Sequence, residues 1–561
     1  MDQSQSQTIH QAPSAQDAAV MCTPGAQMPG QVGMYTQFGY APSAVSAPAS
    51  QAPVQAAAAD ASAAASPADL KDAFIMTSAE KRIPLPQAGS ANLVWKGSGI
   101  SEGETIAYRA CASHIDVRSD TGSLIGKMFS MSYVALDEQG NPQQSRPITF
   151  AYNGGPGCAS VPINFGGMGP LRVKTNGVKH LAHPIEVEDN PCTLLRETDI
   201  VFLDALGTGW SALAEGVDTS TVFGVDGDAD AFCRAISTWL EQQGRWMSPV
   251  YLFGESYGTV RNSVLMRLLG EKDIKVAGVT MLSSIFDYAQ TEEGSDLYHL
   301  GMTPTMAACA QYFGKAGSDA TPEAWFDEVM DWTDKVLAPA LLLGDRLDAD
   351  TEETIAQQLS HYIGLSEAHI RNRHLRITLD DFRRHLLYSE DRVVGRLDMR
   401  FSSDAPVAIQ ESTSWFGSED AADDAVETSW TSAFRAFCHD TLHFSFNTPY
   451  LSMNYHRVGV NWKWEHKVPG KDYASPTANV GYDIAVAMRR NPAMKVCILG
   501  GRYDAATPFW NVVHDMARQY LSCELKERLE WHLYGCGHMA YVDVPTLEQL
   551  SRDMKEFYAK Q

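Results

Sequence analysis

A serine stands between two glycines in the stretch Gly254-Glu255-Ser256-Tyr257-Gly258, directly after the apolar run PVYLF. A serine hydroxyl is a weak nucleophile until a neighbouring base accepts its proton. Small residues beside the serine allow the backbone to turn sharply from a strand into a helix, so that the hydroxyl is presented at the turn. The stretch therefore predicts Ser256 as a catalytic nucleophile, if the rest of the chain supplies a base, an acid and oxyanion donors.

Candidates for the base and the acid follow two later apolar runs. Asp504 comes after KVCILGGRY, and His538 comes after EWHLYGCG. Each has an ordinary alternative, a helix N-cap for the aspartate and a hydrogen-bonded turn histidine for the imidazole. The order Ser, Asp, His is that of the α/β-hydrolase triad, in which the carboxylate orients the imidazole and stabilises its charged form. Taken together, the three positions favour a triad.

Oxyanion donors are predicted in YNGGPGCAS, residues 152–160, which also follows an apolar run. Gly154 and Gly155 carry no side chain, so their backbone N–H groups are free to point at a developing oxyanion. A bare turn is the alternative, since Gly-Pro-Gly is a turn signal in any protein.

The elements that must position these residues alternate between strands and helices. Apolar, β-branched runs such as PITFAY, TDIVFLDA and KVCILGG are typical of buried parallel strands. The pattern predicts an α/β fold, a mostly parallel central sheet with helices on both faces. Residues 1–68 are predicted to be a disordered tail rich in Ala, Pro, Ser and Gln. The core is predicted in two parts, 69–287 and 471–561, with a helical cap at 288–470 inserted between them.

Composition limits the possible partners. The net charge of −24, from 44 basic and 68 acidic residues, argues against nucleic acid or an anionic membrane surface as a partner. No run approaches eighteen apolar residues, and the first basic residue is Lys71, so neither a membrane span nor a signal peptide is indicated and we expect a cytoplasmic protein. The ten cysteines include no C-x-x-C pair, so we expect free thiols, no metal and no cofactor. The sequence does not indicate an oligomeric state.

Two further patterns have structural interpretations. DGDAD, residues 226–230, resembles half of a calcium loop, but the glycine and the bidentate glutamate of such a loop are missing, so a helix N-terminus is the better interpretation. Four histidines lie in a charged helical region and are expected to be solvated; they are His361, His369, His374 and His385.

The blocks NGGPGCAS, GESYGT, GRYDAATP and GCGHMAYVDVP resemble the four signature blocks of the serine carboxypeptidase family, in the family's order, and GESYGTVR is most similar to its bacterial branch. DALGTGWS, residues 204–211, resembles a fifth block. The resemblance implies an α/β-hydrolase fold with peptide or protein C-termini as substrate. It also implies a role for each matching residue. The triad would be Ser256, Asp504 and His538, and the oxyanion donors would be Gly155 and Tyr257. The substrate's terminal carboxylate would be bound by Asn153, Gly154 and Glu255, and Met539 would lie beside the pocket for the leaving residue.

One departure concerns that carboxylate site. The family's secreted enzymes carry a glutamate after the Gly-Gly-Pro block that pairs with the one before the serine, and here the aligned residue is Gly167 in GGMGP. The predicted function is a serine-type carboxypeptidase acting through an acyl-enzyme. The alternatives are an esterase or acyltransferase on the same triad, made plausible by Gly167, and a non-catalytic binding protein, which retention of all three triad residues disfavours.

Overall fold

The structure is a computed structural model that describes residues 86–179, 181, 183–317, 319–404 and 420–560. The predicted tail, residues 1–68, lies outside the described residues. All described residues belong to one compact unit, Ala65–Gln561.

The described residues contain a ten-stranded main sheet with the order β1-β2-β3-β7-β4-β9-β10-β13-β14, and β8 pairs with β3. Strands β7, β4, β9, β10, β13 and β14 run parallel, and β1, β2 and β3 form an antiparallel extension. Two small antiparallel sheets pair β5 with β6 and β11 with β12. The strands are β1 Gly89–Lys96, β2 Thr105–Arg118, β3 Leu124–Ala135, β4 Ile148–Tyr152, β5 Leu171–Val173, β6 Val187–Asp189, β7 Asp199–Leu203, β8 Ala212–Leu213, β9 Val250–Glu255, β10 Val276–Leu282, β11 Arg392–Val394, β12 Ser402–Asp404, β13 Lys495–Gly501 and β14 Leu529–Tyr534.

The register of the parallel strands brings their carboxyl ends to one edge. Tyr152, the last residue of β4, pairs with Gly254 near the end of β9, and Leu282 at the end of β10 pairs with Glu255. Every residue of β4, β7, β9 and β13 is buried, as expected for parallel strands covered on both faces. The loops that carry the predicted site therefore emerge from neighbouring strands at the same edge.

Helices cover both faces of this sheet, which confirms the predicted α/β fold with a mostly parallel central sheet. The hydrophobic core on one face includes residues of α2, α3 and α11, and the core on the other face includes residues of α10 and α14. The helices are α1 Val161–Ile163, α2 Val225–Gln243, α3 Tyr257–Glu271, α4 Asp296–Tyr312, α5 Pro322–Trp332, α6 Ala338–Leu343, α7 Ala349–Ile363, α8 Glu367–Asn372, α9 Leu379–His385, α10 Glu427–Ala436, α11 Gly481–Arg490, α12 Phe509–Ala517, α13 Cys523–Lys526 and α14 Val544–Ala559.

A third hydrophobic core belongs to helices α4 to α9, and it also includes Tyr503, Ala505 and Trp510 from the loop and helix after β13. In contrast, the segment from 420 onward contributes side chains to the sheet cores, such as Trp430 on one face and Trp462 on the other. The two halves of the predicted 288–470 insertion thus pack differently, and its boundaries stay a prediction.

Two other findings concern the described residues. The nine cysteines among them are free thiols. Within the described ranges, no helix combines the length and the apolar character that crossing a membrane would require.

Candidate active site

Ser256 occupies a strained turn between β9, which ends at Glu255, and α3, which begins at Tyr257. Its backbone has φ 59° and ψ −128°, a conformation that L-residues rarely adopt. Gly254 is required there because a Cβ on it would lie 2.3 Å from the carbonyl oxygen of Gly258. The Ser256 N–H donates to the carbonyl of Leu282 at 3.0 Å, which ties the turn to β10. The glycines of the sequence pattern thus permit the sharp turn that presents Ser256.

His538 and Asp504 meet at the ends of β14 and β13. His538 Nδ1 lies 2.8 Å from Asp504 Oδ2, so the ring donates to the carboxylate through Nδ1 and leaves Nε2 free as an acceptor. Burial lowers the pKa of His538, but the charge and hydrogen bond of Asp504 outweigh that effect, so the pKa is raised overall. The pair therefore favours the charged imidazole that forms when a proton is taken from a nucleophile.

Asp504 itself is fully buried and held by its neighbours. Its Oδ1 accepts from the backbone N–H groups of Ala506 at 2.8 Å and Thr507 at 3.0 Å, and its Oδ2 also accepts from the Thr507 hydroxyl at 2.7 Å. The backbone of His538 is also held, because its backbone N–H donates to the Leu397 carbonyl at 2.6 Å. These contacts hold the carboxylate and the ring in a fixed relative orientation.

Ser256 and His538 line one cavity of about 510 Å³ at the carboxyl ends of the strands. No hydrogen bond joins the two side chains in the described part of the chain. Catalytic hydrogen bonds are often long in free enzymes and shorten when substrate binds, so the arrangement is compatible with a triad. The structure thus places all three predicted triad residues at one cleft.

The predicted oxyanion donors also lie at this turn. A Cβ on Gly154 would lie 2.4 Å from the backbone nitrogen of Tyr257 and 2.7 Å from that of Gly258, so only a glycine allows the loop after β4 to approach the start of α3 so closely. The Tyr257 N–H opens α3, where the first backbone N–H groups have no partner within the helix. Gly155 follows in the same loop with φ 101°. The two loops place the predicted donors beside Ser256.

Glu255 and Asn153 are buried at the closed end of this cleft. Burial raises the pKa of Glu255 to about 7, against the opposing effects of the charge on His538 and of the hydrogen bond from the Tyr541 hydroxyl. Asn153 Oδ1 accepts from the Ile163 N–H at 3.0 Å, so its NH₂ group is directed away from that contact. Glu255 Oε2 is buried and has no hydrogen-bond partner among the described residues. A neutral Glu255 has a proton to donate from such an oxygen.

Comparison with known proteins shows what part of this chain is similar to. Residues 115–273 match the model of the family described as serine carboxypeptidase. This segment of the chain is therefore similar to the serine carboxypeptidase family. The similar curated proteins include serine carboxypeptidase-like 36 from Arabidopsis thaliana, 31% identical over 157 residues, and serine carboxypeptidase-like 50 from the same plant, 31% identical over 148 residues.

These matches cover 27% and 26% of this chain and only 29% and 30% of the two relatives. Among solved structures, the chain is similar to Kex1(Δ)p, a prohormone-processing carboxypeptidase from Saccharomyces cerevisiae. The two sequences are 14% identical, and the TM-score is 0.49. The match covers 81% of this chain and 91% of that chain.

The structure differs from the expected pattern at the carboxylate site. A Cβ on Gly167 would lie 2.3 Å from the Cβ of Tyr541 and 3.1 Å from Leu547 Cδ1, so the side chain of Tyr541 excludes a glutamate at 167. The Tyr541 hydroxyl instead donates to Glu255 Oε1 at 3.2 Å. Glu255 therefore keeps a partner, and burial is the main cause of its raised pKa although no carboxyl stands at position 167. The sequence reasoning missed Tyr541, although it follows the triad histidine in the quoted block GCGHMAY.

The opposite wall of the cleft comes from segments that matched no motif. Met539 lines the cleft as predicted, and it is joined by residues from α9, from the loop after β11 and from the region around α10, namely Leu379, Asp380, Arg383, Arg396, Leu397 and Trp430. No sequence signal could have identified these residues, because their positions depend on how the helical region packs over the sheet.

Behind the nucleophile, a buried ion pair explains the acidic run that opens α2. Arg261 on α3 donates to Asp228 at 2.6 Å and to the carbonyl of Asn153 at 2.9 Å. Asp226 in the same run accepts from His466, which also contacts Asp483. DGDAD is indeed at a helix N-terminus, and two of its carboxylates anchor other segments to that helix.

Metal-binding groups are found away from this cleft. Within the described ranges, two sets of side chains lie close enough to share an ion, His369 with Asp381 and His385, and Cys497 with Glu530 and His532. The expectation that the four histidines of the helical region are solvated holds for three of them but not for His369, whose Nε2 is buried.

Proposed function

We propose that the protein is a serine-type carboxypeptidase that removes C-terminal residues from peptides. The matched family supports the reaction class, and the site supplies a group for each step. The observation that carries the proposal is Glu255, a buried carboxyl with an unpartnered oxygen directly beside the nucleophile. An enzyme acting on internal bonds or on simple esters has no need of a proton donor at that place.

In the proposed reaction, Ser256 Oγ attacks the carbonyl carbon of the last peptide bond while His538 Nε2 accepts the hydroxyl proton. The backbone N–H groups of Gly155 and Tyr257 stabilise the oxyanion. His538 then gives the proton to the leaving amino group, which departs with the C-terminal residue. A water molecule, deprotonated by His538, hydrolyses the acyl-enzyme and restores Ser256.

Recognition of the chain end rests on Glu255 and Asn153. Two carboxylates in contact repel each other unless one of them holds a proton. Because the pKa of Glu255 is raised to about 7, this carboxyl is neutral below that pH and can donate to the substrate's terminal carboxylate. Binding of free-acid peptides should therefore weaken as the pH rises through about 7, when Glu255 ionises.

The test compares one peptide as the free acid and as the C-terminal amide, with products identified by mass spectrometry from about pH 5 to about pH 9. We expect stepwise loss of C-terminal residues from the acid, a fall in kcat/KM above about pH 7 and poor cleavage of the amide. Glu255→Gln should flatten the alkaline fall, because an amide donates at every pH. Equal cleavage of acid and amide throughout would contradict the proposal.

The esterase or acyltransferase alternative depended on Gly167 leaving Glu255 without a partner. Tyr541 fills the space beside Gly167 and donates to Glu255, so that observation no longer favours the alternative.

A further inference from the structure

The contact between Tyr541 and Glu255 determines which oxygen of the carboxyl can carry a proton. Glu255 Oε1 accepts the Tyr541 hydroxyl, and Oε2 has no partner among the described residues. An oxygen that accepts a hydrogen bond from a hydroxyl is the poorer site for a proton, so the proton of neutral Glu255 belongs on Oε2. Tyr541 therefore fixes the direction in which Glu255 donates.

The position of Tyr541 is itself fixed by the surrounding packing. The residue is fully buried, and its ring lies edge-on to Trp430, which lines the cleft, at a centroid distance of 5.6 Å. Gly166 and Gly167 are both required for this, because a Cβ on either would lie 2.5 Å or less from Tyr541 side-chain atoms. Two glycines and one tyrosine thus occupy the volume in which a second carboxyl would have to lie.

We propose that Tyr541 is a specificity-determining positioning residue, which replaces a second carboxyl and aims the Glu255 Oε2–H at the terminal carboxylate of the substrate. This inference rests on the proposed carboxypeptidase function. It deepens that function by assigning carboxylate recognition to a tyrosine–glutamate pair. The other groups that affect the pKa of Glu255 are His538, Asp504 and Asn153.

The test uses Tyr541→Phe in the full chain, which removes one hydroxyl and keeps the ring packed. We expect kcat/KM for a free-acid peptide to fall by about 3- to 10-fold, mainly through KM, because one hydrogen bond that orients the receptor is lost. Hydrolysis of p-nitrophenyl acetate, which has no terminal carboxylate, should be unchanged. The alkaline limb should move to higher pH, because the lost hydroxyl stabilised ionised Glu255.

Tyr534→Phe is the matched control. Tyr534 is another buried tyrosine, and its hydroxyl donates to the Asp553 carboxylate at 2.7 Å, outside the residues that line the cleft. This variant should change neither substrate's kinetics nor the pH profile. Equal losses on peptide and ester in Tyr541→Phe, or an unchanged KM and pH profile, would overturn the assignment.

A binding measurement separates this inference from the proposed function. In a Ser256→Ala background, calorimetry compares the affinities of the peptide acid and the amide with and without Tyr541→Phe. If the protein binds the acid more tightly than the amide and Tyr541→Phe reduces this preference, both the carboxylate site and the role of Tyr541 are supported. Preference that is unaffected by it overturns the role of Tyr541 alone, whereas no preference in Ser256→Ala overturns the carboxylate site and the role of Tyr541 with it.

A different observation concerns helix α9, whose Leu379, Asp380 and Arg383 line the cleft. The same helix carries Asp381 and His385, and these two side chains lie close to His369 of α8, with ligand atoms of the three residues all within 4.8 Å of one another. The rings of His369 and His385 have centroids 4.5 Å apart, and His369 Nε2 lies 3.9 Å from Asp381 Oδ1.

Each of the two histidine rings has a nitrogen that is available as a ligand. His385 Nδ1 lies 2.7 Å from the carbonyl oxygen of Asp381, and because a carbonyl only accepts, Nδ1 carries the hydrogen and Nε2 is free. His369 Nε2 is buried without a hydrogen-bond partner among the described residues. Asp381 Oδ1 accepts from the half-exposed Arg373 at 2.8 Å, so a bound cation would share or displace that contact.

We propose that His369, Asp381 and His385 form a site for a divalent transition-metal ion such as Zn²⁺, which joins α8 to the helix that forms one wall of the cleft. Two imidazoles and a carboxylate are a ligand set that zinc accepts, with the remaining positions taken by water. The ion would have no part in the triad chemistry. Its effect would be to hold α9 in place.

Calorimetric titration of the full chain with Zn²⁺ tests this site, supported by the visible spectrum of the Co²⁺ form. We expect His369→Gln and His385→Gln each to lower the affinity of one site by at least about 10-fold. His374→Gln is the control, because His374 lies in the same region with its side chain 78% exposed. Binding that is absent from the parent, or equal in all four proteins, would overturn the proposal.

Discussion

The two walls of the cleft are built by different means. On one wall, Ser256 directly follows β9, and Asp504 and His538 lie in the loops after β13 and β14. The register of the parallel strands fixes the spacing of these positions. On the other wall, the side chains come from α9, the loop after β11 and the region around α10, and hydrophobic packing fixes their positions. The first wall carries the chemistry, and we expect the second to select among substrates.

This difference has a physical basis. Hydrogen-bonded strands can shift their register only by turning every side chain to the other face, so residues at strand ends are held firmly. Helices packed through apolar contacts tolerate changes in side-chain volume with smaller losses. Substitutions on the first wall should therefore affect the rate of every reaction, and substitutions on the second should affect only the choice of substrate.

The largest expected effect is on the first wall, at the nucleophile. Ser256→Ala should reduce hydrolysis of peptide and ester alike by about 10⁴- to 10⁶-fold, the loss known for removal of a triad residue, with the fold unchanged. A fluorophosphonate probe should label the parent protein and not the variant. Equal labelling of both proteins would show that the nucleophile lies elsewhere.

Next in size is the buried ion pair behind that wall. Asp228→Asn leaves Arg261 charged and buried, and breaking such a pair costs about 3–5 kcal/mol. Urea unfolding measures the change, and kcat/KM should also fall because Arg261 donates to the carbonyl of Asn153. Asp228→Leu combined with Arg261→Met should recover much of the stability. A double variant as unstable as Asp228→Asn would contradict the ion-pair explanation.

The same contrast explains what the sequence could predict. Ser256, Asp504 and His538 were identifiable because each stands in a short pattern with glycines that a sharp turn requires, and the parallel sheet follows from apolar runs alternating with helices. Tyr541 and Arg261 also stand inside quoted blocks, but their roles depend on contacts with Glu255 and Asp228, which lie far away in sequence.

The second wall could not be predicted in this way. Leu379 and Trp430 lie in helices whose sequence patterns indicate a helix and an apolar face, and nothing in those patterns says which element the face will pack against. The sequence predicts one helical insertion, and within that range α4 to α9 share a core of their own while α10 packs on the sheet. Long-range packing decides this, and it leaves no local signature.

A smaller effect is expected at His466, in the segment between α10 and α11. His466 is buried, with Nδ1 2.7 Å from Asp226 and Nε2 2.8 Å from Asp483. Burial lowers its pKa, but the hydrogen bonds and charges of the two aspartates raise it to about 9 overall. A pKa above the ordinary value means that the stabilisation, about 3 kcal/mol, is fully present below about pH 6.5 and is lost as the pH rises through about 9.

Unfolding free energies of the parent and His466→Asn from about pH 6 to about pH 10 measure this contribution. The difference between the two proteins should be largest at the acidic end, fall as the pH rises from about 6.5, and be small above about pH 9. His374→Asn, at an exposed position, should show no such dependence. A difference that stays constant with pH would mean that His466 stabilises the protein as a neutral ring.

The smallest expected effect lies on the second wall itself, at Asp380 of α9. Its side chain is 40% exposed, lines the cleft and lies 3.8–3.9 Å from Arg383 and Arg384, so its charge is partly screened. Exposed charge pairs contribute at most about 1 kcal/mol, which corresponds to roughly a 5-fold change in rate. Asp380→Asn should therefore lower kcat/KM by less than about 5-fold for peptides with a basic residue near the cleaved bond and raise it by a similar factor for acidic ones. Hydrolysis of p-nitrophenyl acetate should be unaffected, since the substitution leaves the strand-end wall intact. If ester and peptides lost activity together, α9 would be supporting the catalytic wall, and the division between a chemical wall and a selective wall would fail.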